Sequence, residues 1–379
     1  MPTRASMRTI ASRVASALLL VCPLVAYGGV TILTFRSGGL GFDFHVFWDA
    51  ARAVEHGRTP YDPDGIAQIA TVATRGGQVP TDNAWAVYPP LVYAAIVPIG
   101  FLPWPAAAVL GMSLLAITPA LALRVMGVRD WRCYSLLYLS PPVFTSIFLG
   151  ALSTALMLGF AMIWMGRGTV ASAAATIAAK LFLWPLAIAI AALWGIRRAA
   201  LVVAIAAGCA IASWGLIGFE DLGRYPAMLS DLSTAEAHTS FSTTGLAYAL
   251  GLPLAVGGYL GIVAGIGVAA IAVRAGRAGR KEAAFTLALV AALLLSPIVW
   301  MHYLTLAFVP LAARFPRANA AWVLPMVIWA DSPQAPNGDP KTFIWVWAFV
   351  VVVVVATLRK SRGSVRLRPA GALRSQRVG

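Results

Sequence analysis

Long apolar stretches separated by very few charges leave this chain little choice of fold. The runs are 14–33, 104–123, 133–149, 152–166, 169–179, 181–196, 199–217, 244–273, 283–299, 302–313, 319–330 and 342–358. A water-soluble domain carries roughly a quarter charged residues. Here 11% are charged and 60% are hydrophobic. Segments of this kind satisfy their backbone inside a bilayer only as helices. The sequence therefore predicts an all-α polytopic membrane protein with about 12 transmembrane helices, forming one domain over 1–358 with a basic tail, 359–379. Disorder, a coiled coil and a disulfide-stapled secreted scaffold are excluded. Cys22, Cys133 and Cys209 fall in or beside apolar runs and show no paired spacing. The first run follows Arg4, Arg8 and Arg13 and lacks a convincing small-x-small cleavage site, which favours a retained helix over a signal peptide. Several runs are shorter than the ~20 residues of a perpendicular span. Others are broken by Pro or Gly, a pattern expected of helices that stop partway beside a cavity. The apolar, Pro-interrupted piece 88–101 is expected to be re-entrant or interfacial.

Charge then sets orientation. The formal charge is +15. With the N-terminus in the cytoplasm, 22 of the basic residues fall inside and seven outside. Of the 14 acids only Asp130 and Glu282 fall inside. The inside then carries +20 and the outside −5, a strong positive-inside signal. The expectation is a multi-pass protein of the cytoplasmic (inner) membrane, with both termini cytoplasmic and its chemistry on the extracytoplasmic side. The tail suits contact with anionic membrane lipids. It has no aromatic interleaving and no nucleic-acid-binding module, so no nucleic-acid partner is expected. There is no phosphate-binding Gly loop and no HExxH.

All four histidines and 12 acids lie on the outer side of this topology. The outer loop 36–87 opens with an amphipathic helix expected over 44–56. Phe44, Phe47, Trp48 and Ala51 form its apolar face, and His45, Asp49, Arg52 and His56 the other. Such a helix would lie along the membrane surface and end at Gly57. Asp43 stands at its start, where an N-cap role and a catalytic one are compatible. Asp49 and Arg52 have the spacing of a simple surface pair. Tyr88, before Pro89 and Pro90, is either an interfacial aromatic or a site residue. Lys180 separates two apolar half-spans, where a lysine either snorkels or serves a function. His302 lies at an outer turn, where it either caps the turn or binds an anion. The loop 218–244, with Arg224 and His238, either contacts a sugar-bearing acceptor or merely connects. Asp331 and Asp339 fall in a Pro-rich outer loop. No carboxylate cluster demands a metal and no cofactor is expected, although a divalent ion between Asp43 and Asp49 stays open.

Several of these residues together resemble a known family. The pieces are the stretch from Asp43 to Ala51, then Gly57-Arg58-Thr59-Pro60-Tyr61-Asp62, Tyr88-Pro89-Pro90, Gly150 with its short following helix, Lys180, and Ser296-Pro297-Ile298-Val299-Trp300-Met301-His302. In this order they resemble the polyprenyl-phosphate-mannose-dependent α-mannosyltransferases, GT87-like integral-membrane enzymes of the GT-C superfamily. The resemblance implies a GT-C-like fold and an inverting transfer of mannose from polyprenyl-phosphate-mannose to a glycolipid or glycan hydroxyl. It implies Asp43 as catalytic base, with Lys180 and His302 at the donor phosphate. His45, Asp49, Tyr88, Arg224 and His238 are then candidates for sugar or acceptor contacts. Two departures stand out. Ala151-Leu152-Ser153 replaces the Gln and polar residue that commonly follow Gly150, and Tyr303 replaces a second histidine. A polyprenyl-phosphate-arabinose donor is the alternative within this fold, and a lipid or sugar transporter the alternative outside it.

Overall fold

The structure, a computed structural model, describes residues 17–29, 40–75, 85–330 and 340–359, together with Val14 and Thr31. Expectations on Arg4, Arg8, Arg13, Arg36, Asp331, Asp339 and the tail from 360 onward lie outside the described residues. Among the described residues every regular element is a helix, as an apolar chain without sheet edges requires.

The chain begins with α1 (Ala17–Gly29), α2 (Phe42–Glu55), α3 (Pro63–Arg75), α4 (Pro90–Gly100) and α5 (Trp104–Val125). A run of short helices follows: α6 (Trp131–Leu139), α7 (Pro141–Leu149), α8 (Ser153–Met165), α9 (Thr169–Ala179) and α10 (Pro185–Trp194). Next come α11 (Ile196–Gly215), α12 (Tyr225–Ala235), α13 (Thr243–Ala249), α14 (Leu254–Arg277) and α15 (Lys281–Leu295). The described chain ends with α16 (Phe308–Arg314), α17 (Ala320–Val323) and α18 (Pro340–Leu358).

Among the described residues four helices are long and apolar enough to cross a membrane: α5, α11, α14 and α18. Most other expected runs form shorter or broken helices, and some of the breaks have a visible cause. Run 133–149 divides between α6 and α7 at Ser140-Pro141, because a proline has no N–H to continue the ladder. Run 244–273 divides at Gly251, in the left-handed region, followed by Pro253. Run 302–313 is a 3-10 turn over Met301–Ala307 leading into α16. Run 319–330 is the four-residue α17 and a second 3-10 turn. Segment 88–101 forms α4, 11 residues with Pro98 inside. At 1.5 Å per residue it is about half the length of a span.

The main core gathers α8, α9, α10, α15 and α16. Phe160, Trp164, Trp194 and Phe285 meet there at ring separations of 5.4–6.3 Å. A second apolar core lies among α2, α3, α4 and α12 and includes Phe44, Phe47, Tyr61, Ile69, Tyr93 and Met228. Helices α3 and α12 lie in stretches that the sequence pattern presents as loop. Each has a proline in its first turn, Pro63 and Pro226, the position where a proline starts a helix rather than breaking it. The two pack on each other.

Candidate active site

The sequence predicts a helix beginning at 44 with Asp43 as its cap. In the structure α2 begins at Phe42, and Gly41, with φ +73°, is the residue before it. Asp43 therefore lies inside the first turn and makes no capping bond. The apolar side of α2 buries Phe44, Phe47, Ala50, Ala51 and Val54, chiefly against α4 and α5. Protein, then, covers much of the face expected to rest on lipid. Two glycines fix its position. A Cβ at Gly111 of α5 would collide with the Phe44 ring, and one at Gly150 with the Phe44 Cβ. Gly150 also holds φ +73° at the end of α7, a conformation that disfavours side chains. The Gly41 N–H donates to the Phe148 carbonyl at 2.9 Å. Asp43 is thereby set against the turn between α7 and α8.

Asp43 is half-buried. Burial pushes its carboxyl up from 3.8 to about 6, against the lowering pull of Lys180, and Glu236 adds to the rise. Burial disfavours the charged form, while a nearby cation restores part of it.

Lys180 follows directly on α9, with extended backbone (φ −147°). It is 7% exposed, so it does not snorkel. Its Nζ donates to the Tyr88 Oη at 2.6 Å. The ammonium also sits 3.8 Å from the Tyr303 ring centroid, 4.5 Å from that of Tyr88 and 5.7 Å from that of Trp300. Phe182 stacks on Tyr303 at 4.8 Å. A buried ammonium surrounded by ring faces regains part of its lost hydration through cation–π attraction. Tyr88 is buried too and is no membrane-belt residue. Its N–H donates to the Tyr93 Oη at 2.9 Å, and its carbonyl accepts from the Tyr61 Oη at 2.7 Å.

The residues carrying the family resemblance thus divide into site and scaffold. Within 57–62, Tyr61 anchors Tyr88, and Thr59 donates to the Asp221 carboxylate at 2.9 Å. Before His302, the 297–299 stretch is clipped to 240–242. The Phe241 N–H donates to the Val299 carbonyl at 2.7 Å, the Ser242 hydroxyl to the Pro297 carbonyl at 2.6 Å, and the Val299 N–H to the Ser240 Oγ at 2.9 Å. These bonds deliver Trp300 and His302 to the site.

His302 is 3% exposed, and its Nε2 is buried without a partner. It lies within electrostatic reach of Lys180. The hydroxyls of Ser153 and Thr154, at the uncapped start of α8, are likewise fully buried and unpartnered. Thr305 joins the two regions, donating to the carbonyls of Ser153 at 3.2 Å and His302 at 2.9 Å. A buried polar group without a partner costs about 1–3 kcal/mol, so these three make the region a candidate for binding a polar ligand.

The structure brings Asp43, Lys180, Tyr88 and His302 into one group. The other candidates stand apart from it. His45 and Asp49 pair with each other at 3.5 Å on the exposed side of α2. His45 also meets the Trp104 ring at 4.4 Å. Arg224 is exposed and pairs with Asp221 at 3.5 Å. The His238 ring lies 2.9 Å from the Ala235 carbonyl. Asp49 turns to His45, and no group of three or more His, Cys, Asp or Glu able to hold a metal occurs among the described residues. Glu236, Trp300 and Tyr303 join the group without having been singled out. Tyr303 enters the sequence only as a departure from a family pattern, and Glu236 is one of five acids and bases in the stretch 218–236.

Comparison with known proteins places the chain in a family. The sequence profile of Glycosyltransferase family 87 matches residues 85–299, more than half of the chain. The matched region includes Tyr88, Lys180 and Glu236, with Asp43 before it and His302 just beyond it. No curated protein and no solved structure matches.

Proposed function

The chain belongs to glycosyltransferase family 87, and from that premise we propose that it moves a mannosyl residue from polyprenyl-phosphate-mannose to a hydroxyl of a glycolipid or glycan, with inversion. The reaction takes place on the extracytoplasmic side of the cytoplasmic membrane. The observation that carries the reading is the group itself. A carboxyl raised toward neutrality by burial interacts electrostatically with a buried ammonium that is itself held among aromatic rings.

A single inverting displacement needs one base. Asp43 takes the proton from the acceptor hydroxyl, whose oxygen forms the new bond to the anomeric carbon. The bond from that carbon to the phosphate oxygen breaks, and polyprenyl phosphate leaves. A base titrating near 6 is ionised at neutral pH, yet more basic than an ordinary carboxylate. Negative charge collects on the departing phosphate, where fixed cations and hydrogen-bond donors give the largest stabilisation. Lys180 supplies the charge and His302 a ring nitrogen otherwise unpartnered. The buried, unpartnered hydroxyls of Ser153 and Thr154 lie at and just beyond the end of the stretch where this chain departs from the family pattern, and they offer donors to the same ligand. Phosphate is already a good leaving group, so no general acid is required.

The test is transfer of labelled mannose from polyprenyl-phosphate-mannose to extracted lipids by membranes holding the wild type or Asp43→Asn. The wild type transfers, and Asp43→Asn does not although it folds. Normal transfer by the variant would remove Asp43 from the mechanism. A parallel reaction with polyprenyl-phosphate-arabinose decides between hexose and pentose. The transporter alternative gives way to the family assignment.

A further inference from the structure

A carboxylate and an ammonium partly shielded from water attract each other, and the simplest arrangement would be a direct ion pair. The ion pairs among the described residues are His45–Asp49, Arg132–Asp130 and Arg224–Asp221. Asp43 and Lys180 interact through space but do not pair. Lys180 instead gives its hydrogen bond to the Tyr88 hydroxyl at 2.6 Å.

Tyr88 is unusually well anchored for this purpose. Its backbone is held from both sides by the hydroxyls of Tyr61 and Tyr93, both 1% exposed or less. Its ring stands edge-on to Phe47 at 5.0 Å, and Phe47 belongs to the helix that carries Asp43. The phenol is therefore a fixed acceptor, and the ring faces of Tyr303 and Trp300 hold the ammonium over it.

We propose that Tyr88 is a positioning residue that holds the Lys180 ammonium off the Asp43 carboxylate, keeping the base and the phosphate-binding cation separate within one site. This rests on the reading of Asp43 as base. Direct pairing would stabilise the ionised carboxylate, weaken it as a base and neutralise the cation meant for the phosphate. The charged and titratable groups facing Asp43 are Lys180 after α9, Glu236 after α12, Tyr88 before α4 and Tyr303 in the 3-10 turn. His45 is its near neighbour on α2 but turns to Asp49.

The test uses the purified full-length protein and Tyr88→Phe, which keeps the ring and removes only the acceptor. The first readout needs no substrate: carbodiimide labelling of protonated Asp43 across pH, followed by mass spectrometry. In Tyr88→Phe the labelling midpoint should fall by about one pH unit as Lys180 moves onto the carboxylate. In a Lys180→Ala background the same substitution should produce no fall. The second readout is mannosyl transfer. Its acid limb should move in the same direction, with kcat reduced about tenfold and the donor KM changed far less. An unmoved labelling midpoint in folded Tyr88→Phe overturns the proposal. If Tyr88→Phe does not fold, Tyr61→Phe loosens the same anchor and should lower the midpoint by a smaller amount; no shift there overturns it equally. Failure of the wild type to use any lipid-linked sugar would defeat the functional reading, while the labelling result would still decide the role of Tyr88.

Discussion

Replacing Asp43 by Asn should abolish turnover and, at neutral pH, make the protein more stable. The carboxyl is held at about 6 instead of 3.8. At 1.36 kcal/mol per unit, a shift of about two units corresponds to roughly 3 kcal/mol. Because Asp43 is only half-buried, solvent screening reduces this to about 1–2 kcal/mol. The sign follows from linkage. Above pH 6 the folded protein must keep an ionised carboxylate that the unfolded chain hydrates freely, so the full cost is present. As the pH falls from 6 to 3.8, the folded form takes up its proton first, and the cost disappears. Asn carries no charge at any pH and escapes the penalty throughout. Thermal unfolding in detergent, followed by tryptophan fluorescence, should show Asp43→Asn melting higher than wild type at pH 8. The gap should narrow on acidification and close below pH 4. A variant less stable than wild type at pH 8, or a gap independent of pH, would refute the claim that burial, rather than a stabilising contact, dominates at this carboxyl.

Lys180→Ala should raise the KM for the lipid-linked donor by tenfold or more, with a smaller effect on the acceptor KM; unchanged donor kinetics would make Lys180 a packing residue. Gly150→Ala places a side chain both in the left-handed region and against Phe44, so it should cost about 1–3 kcal/mol and depress kcat by shifting α2. Equal melting temperature and rate would show that the turn tolerates the substitution.

The fold class could be read from the sequence because the bilayer is so restrictive a solvent: long apolar runs with few charges permit little besides helices. Boundaries were less legible. The pattern at 44–51 located the face of α2, but its start depends on Gly41 bonding to the distant Phe148 carbonyl, which no local window contains. The short helices α3 and α12 escaped because their apolar residues pack on each other, not on lipid. At the site, Lys180 and His302 were visible as polar residues in apolar surroundings. Tyr88 could be named but not explained, since its role depends on Tyr61 and Tyr93 reaching it from 27 and five residues away. Glu236 carries no sequence mark at all. Arg224, His238, His45 and Asp49 met the same criterion of outer-side polarity, yet they turn to partners of their own.

The aromatic surroundings of Lys180 have a consequence for chemical complementation. Receptors for small alkylammonium ions are built from just such converging ring faces, and here the guest is tethered to its host. Cutting the tether by Lys180→Ala would leave Tyr88, Trp300 and Tyr303 as an unoccupied receptor for a soluble guest. Methylammonium added in the millimolar range should then restore part of the lost transfer, while tetramethylammonium, which has no N–H to give to the Tyr88 oxygen, should occupy the same box without restoring it.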